Sequence, residues 1–187
     1  MINKLSSLIM DLIQTFVIAG AIFVVMYAFI FRLHQVDGQS MYPTLHNKDL
    51  MITNVIELKF NSLKRGDIIV FEAPPPNADK DYIKRIIGLP GEKIMVRDGD
   101  VYINNNKLDE SSYLPSDYKT YGERFLRDGQ DYVIPEGSYF AIGDNRTMSS
   151  DSRDFGPIRL DKVIGKSFIS YWPVDRFRII KGAEYGL

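Results

Sequence analysis

The chain has 187 residues, enough for one domain of ordinary size or two small ones, and 45% of them are hydrophobic and 25% charged, a folding composition that excludes wholesale disorder. The formal net charge is -1, with Lys and Arg mixed among Asp and Glu along the whole chain, which excludes the basic footprint of a nucleic-acid binder. The absence of cysteine removes disulfides, thiol nucleophiles and thiolate metal sites, and His34 and His46 stand in no zinc-binding spacing, so the expectation is an oxygen or nitrogen nucleophile working without metal or cofactor.

In chain order, residues 12–31 are apolar except for Gln14 and Thr15. As a helix, such a run reaches about 30 Å, the thickness of a bilayer core, and it predicts a membrane-spanning segment. Ala19-Gly20-Ala21 resembles a small-x-small cleavage site but lies inside the run rather than in a polar stretch after it, which argues for an uncleaved anchor. Lys4 on one side and Arg32 on the other leave the orientation open on charge alone.

Beyond Arg32 the pattern changes to short runs of branched and aromatic residues broken by Gly, Pro, Asn and Asp. These runs predict strands over 49–56, 67–72, 82–87, 92–97, 100–104, 138–142 and 162–172. Asp98-Gly99 carries a hairpin signal, and Pro74-Pro75-Pro76 reads as a stiff loop. The polar stretch 107–132 reads as an excursion. The resulting division is an anchor over 1–32, a core over 33–97, a small insertion over 98–132 and the rest of the core over 133–187. Trp172, beside Tyr171 and Pro173, reads equally as a core residue or as one at a lipid interface.

Three clusters can carry chemistry. Ser40 follows Gly38-Gln39 and precedes Met41-Tyr42-Pro43, flanks that favour a turn. A hydroxyl is a poor nucleophile until a base takes its proton, so Ser40 needs a partner. In Tyr82-Ile83-Lys84-Arg85-Ile86-Ile87, strand alternation puts Tyr82 and Lys84 on one face and Arg85 on the other. A covered Lys84 would lose its proton readily and serve as a base; an edge lysine would instead reach to water. The third cluster, 143–153, is dense in hydroxyls and opposite charges. It reads either as a loop of Asx turns and solvated ion pairs or as a functional cluster in which Ser149 can hydrogen-bond at the base while Asp144, Asp151, Arg146 and Arg153 pin the loop.

Together, Ser40-Met41-Tyr42-Pro43-Thr44-Leu45, Arg65-Gly66-Asp67-Ile68-Ile69-Val70-Phe71, and the stretches 82–92 and 143–153 resemble the four ordered sequence boxes of bacterial type I signal peptidases, in the compact Gram-positive-type form. The resemblance implies a mainly β protein: an N-terminal transmembrane helix, then an antiparallel, coiled β-sheet catalytic domain with a small inserted subdomain. It implies Ser40 as nucleophile, Lys84 as general base, Ser149 hydrogen-bonded to that lysine, and Asp151 and Arg153 as support, with Asp144 and Arg146 beside them. Met41 and Tyr82 would line the substrate cleft. The implied partners are the signal peptides of secreted preproteins, the lipid bilayer and nearby secretion machinery, with no nucleic acid. The domain would lie on the extracytoplasmic side of the cell membrane and cut after Ala-x-Ala. Gly38 departs from members that carry a serine there to stabilise the oxyanion, which leaves the Ser40 N–H and water or a further backbone donor. The other reading is a membrane-anchored β-domain that binds exported peptides without cutting them.

Overall fold

The computed structural model describes residues 2–60, 62–183 and 185. Helix α1 spans Ile2–Ile30. Within it, Ser6–Tyr27 is long and apolar enough to cross a membrane, has a mean hydropathy of 2.3, and buries none of its surface in the rest of the chain. The Thr15 hydroxyl is satisfied locally, Oγ1 donating to the Asp11 carbonyl at 2.8 Å. The helix starts well before the apolar run because Leu8, Ile9 and Met10 sustain helical propensity ahead of it.

Phe31, the last residue of that run, belongs instead to strand β1, Phe31–Gln35. Helix passes into strand with no turn residue between them, so this strand left no boundary in the sequence. Next come β2 Leu50–Asn54, α2 Glu57–Phe60, β3 Ile68–Glu72, β4 Asp81–Gly88, β5 Lys93–Arg97, β6 Asp100–Ile103, β7 Asn106–Lys107 and β8 Tyr132–Val133. The chain closes with β9 Ser138–Ile142, α3 Ser152–Phe155, β10 Ile158–Arg159, β11 Val163–Trp172 and β12 Arg178–Ile179.

Among the described residues the strands form an eight-stranded sheet, in the order β1-β2-β11-β3-β4-β9-β10 with β12 on β11, and a four-stranded sheet in the order β7-β6-β5-β8. Their pairings are antiparallel. Central strand β3 is covered on both faces, which explains its unbroken apolar run. Ile68 and Val70 face a cluster with Val36, Met41, Leu45, Met51 and Ile83. Ile69 and Phe71 face another with Ile86, Tyr139 and Ala141. The smaller sheet lays Ile94, Val96, Val101 and Ile103 on Ile87, Phe140 and Ile142 of the larger one. It therefore takes β5, assigned from the sequence to the first part of the core, and is completed by β8. Asp98 and Gly99 both have positive φ, +55° and +82°, as the Asp-Gly turn between β5 and β6 requires. Trp172 is 53% exposed, so its core reading does not hold.

Candidate active site

Strand β4 carries the decisive pair of neighbours. Lys84 and Arg85 leave it on opposite faces, and both are buried, at 4% and 2% exposed. Lys84 Nζ lies 2.9 Å from Ser40 Oγ and 5.1 Å from the Tyr82 ring centroid. Burial pulls the Lys84 ammonium down to about 8; the charges of Asp151 and Asp144 oppose that shift and Arg153 adds to it. Those two carboxylates do not win because each has its own guanidinium. Arg85 Nε and Nη2 donate to Asp144 at 2.9 and 2.7 Å, and Arg153 Nε and Nη2 donate to Asp151 at 2.9 and 2.8 Å.

The turn that presents Ser40 is held from several sides. Gly38 adopts φ +99°, a backbone region that L side chains rarely enter, which accounts for glycine there. Its N–H donates to Asn47 Oδ1 at 2.9 Å. The Ser40 carbonyl accepts from the Asn145 N–H at 3.0 Å, tying Ser40 to the 143–153 loop. That approach depends on Gly143, where a Cβ would stand 2.5 Å from the Ser40 carbonyl oxygen and 2.2 Å from Ser149 Oγ. Met41, 1% exposed, anchors the turn in the apolar core.

Within the loop, Asp151 Oδ2 accepts from the Gly143 N–H at 3.0 Å, and Oδ1 caps α3 by accepting from the Arg153 N–H at 3.1 Å. Arg153 also donates to the Arg146 carbonyl at 2.8 Å and the Tyr121 carbonyl at 3.1 Å. Arg146 donates to the Gly143 carbonyl at 3.1 Å and grips Glu110 with two bonds of 2.9 and 2.6 Å, with Thr120 and Tyr113 completing its shell. The loop is thus a closed ion-pair network rather than a solvated surface. Ser149 differs from expectation: its Oγ is buried and has no hydrogen-bond partner among the described residues, so the bond to Lys84 that the resemblance implied is not formed. Lys84 Nζ points at Ser40, and Ser149 stands over Gly143 instead.

The dyad opens into a cleft of about 560 Å³. One wall is the segment from Leu33 through Met41, the other Lys80 through Lys84, with Met148 and Ser150 at the mouth. Met41 and Tyr82 are among its lining residues. Strand β1 ends the sheet order, and β9 pairs with β4 only from Arg85 onward, so each wall keeps a strand edge with no partner strand among the described residues. Sequence reasoning missed Arg85, Glu110, Tyr113 and Thr44, which join the loop to the dyad through contacts distant in sequence; of these, only the alternation of Arg85 against Lys84 left a signal. His34, which the sequence marked only as lying outside any zinc-binding spacing, also lines the cleft.

A profile of the family described as "Signal peptidase, peptidase S26" matches residues 9–172. The chain is 38% identical to signal peptidase I of Bacillus caldolyticus over 156 residues, which cover 80% of this chain and 84% of the relative. It is 34% identical to signal peptidase IB of Staphylococcus aureus strain COL over 181 residues, covering 91% and 93%. A crystal structure of a signal peptidase I from Enterococcus faecalis V583 aligns with 57% of this chain and 97% of its own, at 32% identity and a TM-score of 0.44. The family match spans most of the chain, from inside the apolar helix to the end of β11, and the chain belongs to the signal peptidase family, peptidase S26, as a serine-type hydrolase.

Proposed function

We propose that this chain removes N-terminal signal peptides from exported preproteins by a Ser40/Lys84 dyad, cutting after small residues in an Ala-x-Ala context. The observation that carries the mechanism is the 2.9 Å separation of Ser40 Oγ and Lys84 Nζ around a lysine that is only 4% exposed. Neutral Lys84 takes the Ser40 proton, and the alkoxide attacks the carbonyl carbon of the small residue. The ammonium so formed returns its proton to the leaving amine as the peptide bond breaks, which leaves an acyl ester on Ser40. A water then gives a proton to Lys84 and attacks the ester carbon; as the bond to Ser40 Oγ breaks, Lys84 returns that proton to Oγ, freeing the signal peptide with a new carboxyl terminus and restoring Ser40 and neutral Lys84. Gly38 supplies no side chain to the oxyanion and its N–H is engaged by Asn47, so the Ser40 N–H and water or a further backbone donor serve there.

The substrate binds by strand addition between the two open edges of the cleft, with main-chain hydrogen bonds giving affinity and alternate side chains entering its floor. The apolar helix and the family are compatible with a membrane-anchored enzyme. On this reading the domain lies on the extracytoplasmic face of the cell membrane, beside the secretion machinery that delivers its substrates. A binding module that never cuts would need no desolvated lysine against a serine.

The test is mass spectrometry of a leader peptide containing Ala-x-Ala after incubation with the full chain in detergent. A single cut after the second alanine, absent in Ser40→Ala, is expected. Peptide that stays intact, or cutting that survives Ser40→Ala, would contradict the proposal.

A further inference from the structure

The cleft floor changes character one strand repeat away from the dyad. By the alternation of extended chain, Val36 and His34 share a face on one wall, and Ile83 and Asp81 share a face on the other. Val36 and Ile83 belong to one buried apolar cluster with Met41. One repeat further from Ser40 and Lys84, the two walls meet through polar groups instead, His34 Nε2 lying 3.5 Å from Asp81 Oδ2. All four residues line the same cleft. In an extended peptide, side chains on one face recur about every 6.6 Å, so two inward-pointing residues of a bound strand would meet an apolar floor beside the dyad and a polar floor beyond it.

The polar floor is held from behind. The His34 side chain is 12% exposed, its Nδ1 is 3.1 Å from Thr53 Oγ1, and Thr53 Oγ1 is 3.2 Å from Ser167 Oγ. Thr53 and Ser167 are both buried. Since Nε2 faces a carboxylate, that nitrogen carries the proton; Nδ1 then accepts from Thr53, whose oxygen accepts from Ser167. Burial, opposed by Asp81, holds the imidazole below its ordinary value, so the ring is neutral at neutral pH. Asp81, 44% exposed in its side chain, keeps lone pairs open toward the cleft.

We infer that His34 and Asp81 are specificity-determining residues that form the floor under the first small residue of the substrate motif, and that this floor prefers a hydroxyl side chain, serine or threonine, to an apolar one of the same shape. The inference rests on the strand-addition reading above. A threonine there donates its O–H to Asp81 and keeps the polar floor satisfied, whereas valine covers the same groups and offers them nothing.

The experiment compares two leader peptides that differ only in threonine or valine at the first position of the small-x-small motif, with alanine at the cut. For the wild-type full chain in detergent, kcat/KM should favour threonine about fivefold. His34→Phe should remove or reverse that preference, and Asp81→Leu, at a solvent-exposed position where folding is undemanding, should remove it independently. Equal rates in wild type, or a threonine preference unchanged in both variants, would overturn the inference. Equilibrium binding of the two peptides to Ser40→Ala separates the floor from the chemistry. A threonine preference in binding supports the floor even if wild type fails to cut, an outcome that would sink the catalytic reading alone. Cleavage through Ser40 with no preference in rate or binding sinks the floor alone.

Discussion

The proposed role of Lys84 as a base depends on a fold that gives its ammonium too little water. Its folded value of about 8 lies below the ordinary 10.5, so between those two pH values the unfolded chain binds a proton that the folded chain does not. Below about pH 8 the folded state carries the full cost of a buried ammonium, and that cost is relieved as pH rises toward 10.5. Lys84→Met should therefore abolish cleavage yet raise stability at pH 7 by roughly 3 kcal/mol, a gain that shrinks as pH rises through about 8 and is gone by about pH 10.5. Urea titrations at two pH values check this, and an unchanged midpoint at pH 7 would contradict it. Ser149 is the complementary case. Its buried hydroxyl has no partner among the described residues, so Ser149→Ala should leave stability unchanged or raise it by about 1 kcal/mol. Once Lys84 takes a proton it has a further N–H to place, and Ser149 Oγ is an unfilled acceptor on the adjoining loop; the same substitution should therefore slow cleavage roughly fivefold. Wild-type kinetics would remove Ser149 from the site.

At the scale of elements, the catalytic geometry depends on how closely the 143–153 loop approaches the Ser40 turn. Gly143→Ala would drive a methyl group against the Ser40 carbonyl oxygen at 2.5 Å, which is backbone and cannot swing aside. Displacing the nucleophile by even about 1 Å should cut kcat on the order of 100-fold, with the fold intact by circular dichroism. Near-normal activity would mean that the loop does not set the position of Ser40. The same scale separates what was legible in the sequence from what was not. Strands β3, β4, β5 and β9 are short runs rich in branched and aromatic residues and were placed to within a residue, and the Asp98-Gly99 turn announced itself. Two-residue strands such as β7, β8, β10 and β12 contain no period to read and exist only through their pairing. Each catalytic motif is local and was visible. The pairs Arg85–Asp144, Arg146–Glu110 and His34–Asp81 join residues distant in sequence, and nothing local specifies them.

For the molecule as a whole, the boundary between anchor and catalytic domain falls at Ile30, not Arg32, because β1 starts at Phe31 and pairs along its length with β2. A chain beginning at Phe31 should fold without detergent and cleave soluble peptides, more slowly on membrane-held substrates. Removal through Gln35 deletes an edge strand and the outer part of one wall of the cleft, and should lower kcat/KM on soluble peptides by about 100-fold or more. Equal peptide cleavage by the two truncations would show that β1 takes no part in binding.

In the proposed mechanism a neutral, desolvated Lys84 activates Ser40, and the pH dependence of leader-peptide cleavage in wild type and Lys84→Arg is the decisive measurement. Arginine keeps the charge at position 84 but is not deprotonated in a protein, so a folded Lys84→Arg chain should be inactive at every pH. The wild-type rate should rise through an apparent pKa of about 8, well below the ordinary lysine value of 10.5. A folded Lys84→Arg chain that cuts at a comparable rate through Ser40, or a wild-type limb that titrates at the ordinary lysine value, would contradict the dyad.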